Sequence, residues 1–299
     1  MKLKENYHLY AIITIFFWAS AYVFIRLGLR YFTPYALGAL RYYIAAVFLV
    51  VFSIFVKIKM PEIKDLKWFF ISGFFGFSLF MVAFHVGSAT VSASTASLVI
   101  AITPVLTTLM ARIILKEKLK LIQYIATVIE FIGVGVLTLM NGILSINIGI
   151  LWLLLASFSL SAYNLLQRRI TKKYSSIQAS VISIWFGAAL LIFFLPQTAG
   201  EVRNAPAIYI IYMLVLGIFP SAIAYICWAH ALSKVKNASS VTNYMFLTPF
   251  LTTIMGVLFA KEIPDSSAIL GGIIILFGLF LFNFFDKIVS KLKNHPAEN

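Results

Sequence analysis

Ten apolar runs, each close to the length of a helix that crosses a bilayer, follow one another along this chain. They fall at roughly residues 7–27, 34–56, 68–86, 93–115, 121–140, 148–166, 177–195, 207–228, 238–260 and 268–285. Such runs are too long for strands, and little of the sequence alternates with period two, which argues against a β-barrel. Composition points the same way. Of the 299 residues, 62% are apolar and 11% charged, against about 45–50% and about 25% in soluble domains. One globular core could not hide that much apolar surface. A soluble enzyme, a disordered chain and a disulfide-stapled secreted domain are therefore excluded. Cys227 is the single cysteine and reads as a small buried hydrophobe.

The net charge of +14 reads as a topology signal and not as a nucleic-acid face, because the basic residues sit in short segments between the runs. With the N-terminus in the cytoplasm, 19 of the 24 basic residues fall on cytoplasmic segments, among them Lys57, Lys59, Lys64 and Lys67, and Arg168, Arg169, Lys172 and Lys173. Arg26, Arg30, Arg203 and Lys261 fall on the outer side, and Arg41 falls inside a span. This alternation predicts a multi-pass membrane protein with both termini cytoplasmic. The basic start and Ala19-Ser20-Ala21 resemble a cleavable leader. The run continues to Arg26, however, which is long enough to cross, so an uncleaved first span is expected.

The chain also repeats itself. Sliding it by 145 residues aligns 85–133 with 230–278, without a gap and with 14 identities in 49 positions. Thr103-Pro104-x-Leu106-Thr107-Thr108, followed by Lys116-Glu117, returns as Thr248-Pro249-x-Leu251-Thr252-Thr253 and Lys261-Glu262. At a shift of 141, Phe17, Ser20, Ala21 and Tyr22 match Phe158, Ser161, Ala162 and Tyr163. The expected organisation is one five-helix repeat over 1–142, a second over 143–287 and a polar cytoplasmic tail at 288–299. Five is odd, so the second copy is inserted upside down. The expected fold class is thus an all-α integral membrane protein: ten transmembrane helices as two inverted five-helix repeats, an architecture common among secondary transporters. Halves related in this way can exchange shapes and expose one central cavity to either side in turn.

The ten spans in two halves, Trp18-Ala19-Ser20 in the first span, and Ile102-Thr103-Pro104-Val105-Leu106 with Lys116-Glu117 resemble the EamA-type family of the drug/metabolite transporter superfamily. The resemblance covers nearly the whole chain. It implies export or exchange of small metabolites, often amino acids, across a bacterial inner membrane. The sixth span carries Ser159 where the first carries Trp18, so substrate contacts need not be symmetric.

Pro104 and Pro249 free the carbonyls of Ile100 and Met245. They are read either as hinges with a carbonyl facing substrate or as plain kinks healed by a nearby Thr. Helical spacing puts Trp18, Tyr22 and Arg26 on one stripe, mirrored by Ser159, Tyr163 and Gln167. Ser92, Val99, Thr103 and Thr107 form another, mirrored by Asn237, Tyr244, Thr248 and Thr252. Such stripes line a cavity or join helices. Trp185, Tyr225 and Trp228 offer apolar contact or belong to an interfacial belt. The candidate substrate contacts are Trp18, Tyr22, Arg41, Thr103, Tyr163, Trp185, Trp228, Asn243, Tyr244 and Thr248.

The ionisable residues inside the runs each carry two readings. Arg41, seven residues into its span, binds a carboxylate through its planar fork or snorkels to the headgroups. Glu130 is a proton carrier or a structural carboxyl at a helix contact. His85 and His230 are proton relays or satisfied interfacial histidines. No Cys, Asp or second His stands at ligand spacing beside them, so no metal site is expected. Glu117 and Glu262 read as caps of the helices that follow them.

No H-E-x-x-H, G-x-x-x-x-G-K-[ST] or G-x-S-x-G occurs, so neither catalysis nor direct ATP drive is expected. No cofactor is expected. The expected partners are a small-molecule substrate and the lipid bilayer, without nucleic acid, for a monomer or homodimer. The leading expectation is a secondary transporter of small, amino-acid-like metabolites. A non-transporting membrane scaffold or sensor, and an exporter of hydrophobic drugs or organic cations, stand as alternatives.

Overall fold

A computed structural model describes residues 7–115, 120–139, 147–235, 241 and 243–294. These are helical almost throughout, with no strand among the described residues. The helices are α1 (Tyr7–Gly28) and α2 (Pro34–Val56), α3 (Ile63–Ser88) and α4 (Ala93–Ile114), α5 (Leu121–Leu139) and α6 (Ile148–Ile170), α7 (Ser176–Arg203), α8 (Ala207–Ser233) and α9 (Leu247–Ala260), and α10 (Ser266–Asn294). Seven of them, α1–α4 and α6–α8, are long and apolar enough to cross a bilayer. The apolar stretches in α5, α9 and α10 are shorter: Leu121–Val136, Leu247–Ala260 and Ser266–Phe282. By length and hydropathy, seven of the ten expected spans are thus met among the described residues, and the apolar stretches of α5, α9 and α10 fall short of that length there. For α9 the cause is local. A 3-10 turn, Asn243–Phe246, precedes it, and Lys261, at φ 56°, ends it.

The surface is apolar on both sides of the packing. On α2, Leu37, Tyr42, Ala45 and Leu49 are fully buried, while Val47, Ile54 and Phe55 point outward, Phe55 at 80% exposure. An outward face of this kind suits lipid and not water. The start of α2 is fixed by Thr33, which accepts from the Ala36 N–H at 3.4 Å, with Pro34 opening the first turn. Glu201 of α7 accepts from the Thr33 N–H and hydroxyl at 2.9 and 2.7 Å. That adds a carboxylate where the helix dipole favours one.

Helices of the first half pack mainly on helices of the second. α1 lies against α8 and α9, α2 against α7 and α8, α3 against α6 and α7, α4 against α6, and α5 against α10. Glycines permit the close approaches. A Cβ on Gly73 of α3 would lie 2.6 Å from the Ser183 carbonyl oxygen of α7. One on Gly133 of α5 would lie 2.9 Å from that of Gly271 on α10. α3 and α8 each contain a π turn, Phe74–Leu79 and Phe219–Ile223. Their first residues are 145 apart, which is the offset of the sequence repeat. Gly76 and Ser221, also 145 apart, lie in these turns and take part in the packing at the bundle's centre.

Candidate functional site

A cavity with about 40 Å³ of space for water lies among the helices. It has room for about three waters. Helical spacing forms most of its wall. Trp18, Ala21 and Tyr22 share one stripe of α1, Phe80 and Phe84 one of α3, and Ser97, Ile100 and Ala101 one of α4. Arg41, Leu160, Tyr225, Met245 and Thr248 close it from α2, α6, α8, the 3-10 turn and α9.

Arg41 is the one charged side chain in that wall. It is only 3% exposed, so it does not snorkel. Its hold on the second half depends on a close helix approach: a Cβ on Gly217 of α8 would lie 2.9 Å from the Arg41 carbonyl oxygen. One turn further on, Ser221 accepts from Arg41 Nε at 2.7 Å and donates to the Leu216 carbonyl at 2.7 Å. The π turn widens the helix just where this hydroxyl is needed. The guanidinium carbon lies 5.0 Å from the Tyr42 ring centre. Nη1 is buried without a partner, and no described carboxylate pairs with Arg41. Charge at depth in a membrane costs about 3 kcal/mol or more, so this arrangement has room for an anion.

The aromatic walls brace one another. Tyr22 meets Phe84 edge-on at 5.3 Å, Trp18 meets Tyr225 at 5.3 Å, and Trp228 backs Trp18 at 4.9 Å. Both ends of the cavity are fastened through α1. At one end His8 hydrogen-bonds Tyr244, and the Tyr10 and His230 rings lie 4.5 Å apart. At the other end Arg26 pairs with Glu262, whose second oxygen accepts from the Ala93 N–H at 2.9 Å. His8 to Arg26 and Tyr244 to Glu262 are both separations of 18 residues, about 27 Å along a helix. α1 and the segment through α9 thus run side by side, pinned at both ends. Outside the second fastening lies a polar vestibule of about 650 Å³ containing Arg26, Arg30 and Glu262.

Of the residues expected from sequence, Trp18, Tyr22, Arg41 and Thr248 meet in the cavity wall, with Trp228 behind Trp18. Tyr163 instead packs edge-on against Phe77 and Tyr225, where a Cβ on Gly76 would strike its ring. Its stripe mates face α3 too: Ser159 donates to the Phe75 carbonyl at 2.6 Å, and Gln167 to Ser72 at 3.0 Å. Thr103 turns back to the Ile100 carbonyl at 2.6 Å, closing the gap made by Pro104. Trp185 is half-buried on α7 with its indole N–H unpartnered. Tyr244 belongs to the His8 fastening. Asn243 opens the turn that carries Met245, and Pro249 follows it in α9; the side chain of Asn243, like Glu117 and Asn237, lies outside the described residues.

Glu130 is fully buried between α5 and α10, against Gly278, with neither oxygen partnered. His85 is buried on α3 with Nδ1 2.8 Å from the Met81 carbonyl oxygen, far along the chain from the His230 contact at Tyr10. One expectation is corrected. Glu262 caps α4 through Ala93, while Asp265 caps α10, accepting from the Ala268 N–H at 2.7 Å. Asp265 is nearer the start of α10 and reaches it without reversing the chain. Sequence reasoning missed Ser221, Phe84 and Ser97. Ser221 carried no sequence signal: its repeat mate is Gly76, and the π turns that the two share at the 145-residue offset show only in the structure. Phe84 and Ser97 carried none, because neither differs from its neighbours in kind.

The model of the EamA-like transporter family matches residues 6–139 and again 147–284. The chain is 32% identical to the uncharacterised transporter YdfC of Bacillus subtilis, across 92% of this chain and 94% of that protein. It is 27% identical to the "Probable terminal-alkyne amino-acid exporter" of Streptantibioticus cattleyicolor, across 91% of each. The S-adenosylmethionine uptake transporter of Rickettsia conorii is 25% identical over 86% of this chain and 85% of its own length. A solved crystal structure with 17% identity superposes with a TM-score of 0.65, covering 95% of this chain and 99% of that one, and so shares the fold.

Proposed function

The chain belongs to the EamA-like transporter family, and on that premise we propose that it is a secondary transporter moving a small, amino-acid-like carboxylate by alternating access. On this reading, ten spans form two inverted five-helix repeats, over 1–142 and 143–287, in a bacterial inner membrane with both termini cytoplasmic. The loop-by-loop alternation of basic residues supports the topology. The observation that carries the cargo reading is the buried, unpaired Nη1 of Arg41 beside the cavity. The name of one relative, an amino-acid exporter, agrees with it. The cavity leaves room for a few waters; on this reading the two fastenings of α1 act as gates, and cargo enters when one of them parts. Trp18, Tyr22 and Thr248 then shape the site around the carboxylate. No nucleotide motif supplies energy, so the driving force is a gradient, that of the cargo or of a coupled ion.

Counterflow in proteoliposomes tests this reading. Saturable exchange of a carboxylate that Arg41→Ala abolishes is expected. Exchange that Arg41→Ala leaves unchanged would remove Arg41 from the site, and absence of exchange for every carboxylate would favour the non-transporting scaffold.

A further inference from the structure

We infer that the cavity reads the carboxylate of its cargo and not an amino group, so that it takes apolar monocarboxylates lacking an α-ammonium, such as 2-hydroxy or 2-oxo acids, in preference to the matching amino acids. This rests on the transporter reading above and narrows its cargo. Arg41 brings one permanent positive charge into the wall. All six carboxylates with described side chains are engaged or sited elsewhere. Glu62 and Asp65 pair with Lys173. Glu262 pairs with Arg26. Glu201 binds Thr33 and Asp265 caps α10. Glu130 lies between α5 and α10. A monoanion therefore neutralises the site, whereas a zwitterion adds a second cation beside Arg41.

Aromatic faces are the usual substitute receptor for an ammonium. Here the wall rings pack edge-on or tilted against one another, Tyr22 with Phe84 and Trp18 with Tyr225 and Trp228, and a second cation on any free face would stand near Arg41 in the same wall. Hydroxyls remain. Thr248 is buried with its Oγ1 unpartnered, and Ser97 donates to the Ser94 carbonyl while its oxygen can still accept. A neutral 2-hydroxyl can both donate and accept with such groups, so a 2-hydroxy acid satisfies them without adding charge.

The test uses the purified full chain in detergent and a matched set of phenyl-bearing probes: phenyllactate, phenylpyruvate, phenylalanine and phenethylamine. Thermal stabilisation is titrated for the parent chain, Arg41→Gln and Arg41→Lys. The expected result is half-maximal stabilisation by phenyllactate or phenylpyruvate at a concentration at least tenfold below that for phenylalanine. Phenethylamine should have no effect, Arg41→Gln should lose the response and Arg41→Lys should keep part of it. Equal or tighter response to phenylalanine, still lost in Arg41→Gln, would overturn this inference and leave the transporter reading standing. No response to any carboxylate, or a response to phenethylamine, would overturn both.

Discussion

Arg41 Nε and Ser221 Oγ lie 2.7 Å apart and join the middle of α2 to the π turn of α8 in the wall of the cavity. Ser221→Ala leaves that buried N–H unpaired and frees the guanidinium to turn. A buried donor without its acceptor costs about 1–3 kcal/mol. Thermal unfolding in detergent should show a loss of that order, and carboxylate exchange should weaken. An unchanged unfolding midpoint together with unchanged exchange would mean that Ser221 does not position Arg41.

The Arg26–Glu262 pair, with the Ala93 N–H on the second oxygen, fastens α1, α4 and α9 at one end. Arg26 is partly exposed (37%), so after screening the pair is worth about 0.5–1 kcal/mol. In Glu262→Ala, hydrogen exchange around residues 89–96 and 256–263 should quicken about two- to fivefold, while that around His8 and Tyr244 should not. Uniform quickening would point to general loosening and not to a local fastening.

α3 and α7 touch through backbone at Gly73, where a Cβ would sit 2.6 Å from the Ser183 oxygen and 2.8 Å from the Gly187 nitrogen. Neither backbone can yield cheaply. Gly73→Ala should destabilise the protein by about 1–3 kcal/mol, as overpacking does. At Gly200, on α7, a Cβ would meet nothing within 4 Å, so Gly200→Ala should be neutral or slightly stabilising. Equal losses in both variants would contradict the packing described for α3 and α7.

Lys173, between α6 and α7, reaches Glu62 at 2.6 Å and Asp65 at 2.7 Å, at the start of α3. Lys173, then Lys64, holds the Glu62 carboxyl below the usual carboxylate range. A carboxyl with a lowered folded value stabilises the fold above its unfolded value, about pH 4.3. That contribution disappears as pH falls through the folded value. In detergent at low salt, the melting midpoint should fall as pH drops below about 4.5. Lys173→Met should flatten that part of the curve, and at pH 7 it should shift the midpoint by only about 1–2 °C, since the groups are exposed. A Lys173→Met curve parallel to the parent's would remove this pair as a contributor.

Much of the helical frame was legible because an apolar run that must satisfy its own backbone in lipid has few alternatives to a helix. α2 begins and ends where its run does, and α1 ends one residue beyond. The apolar stretch of α9 fell short because a 3-10 turn and Lys261, which periodicity does not report, trim it. In the cavity, Trp18, Tyr22, Arg41 and Thr248 could be chosen from depth and helical phase alone. Tyr163 and Thr103 share that phase yet face another helix or their own backbone. What decides the direction of Tyr163 is the rotation of α6 against α3, and that depends on small contacts such as Gly76 against the Tyr163 ring; Thr103 is turned by the carbonyl that Pro104 frees. Glu262 shows the same limit: its nearest helix start in sequence is α10, but its partner in space is α4.

The most direct test of the account is two-sided accessibility at the cavity wall. Thr248→Cys, in a chain with Cys227 replaced by Ala, would be exposed to an impermeant thiol reagent from each face of sealed vesicles. Modification from either face, slowed by a carboxylate that the protein exchanges, is the result predicted for one site opened to each side in turn. Modification from a single face only, or from neither under any condition, would contradict it.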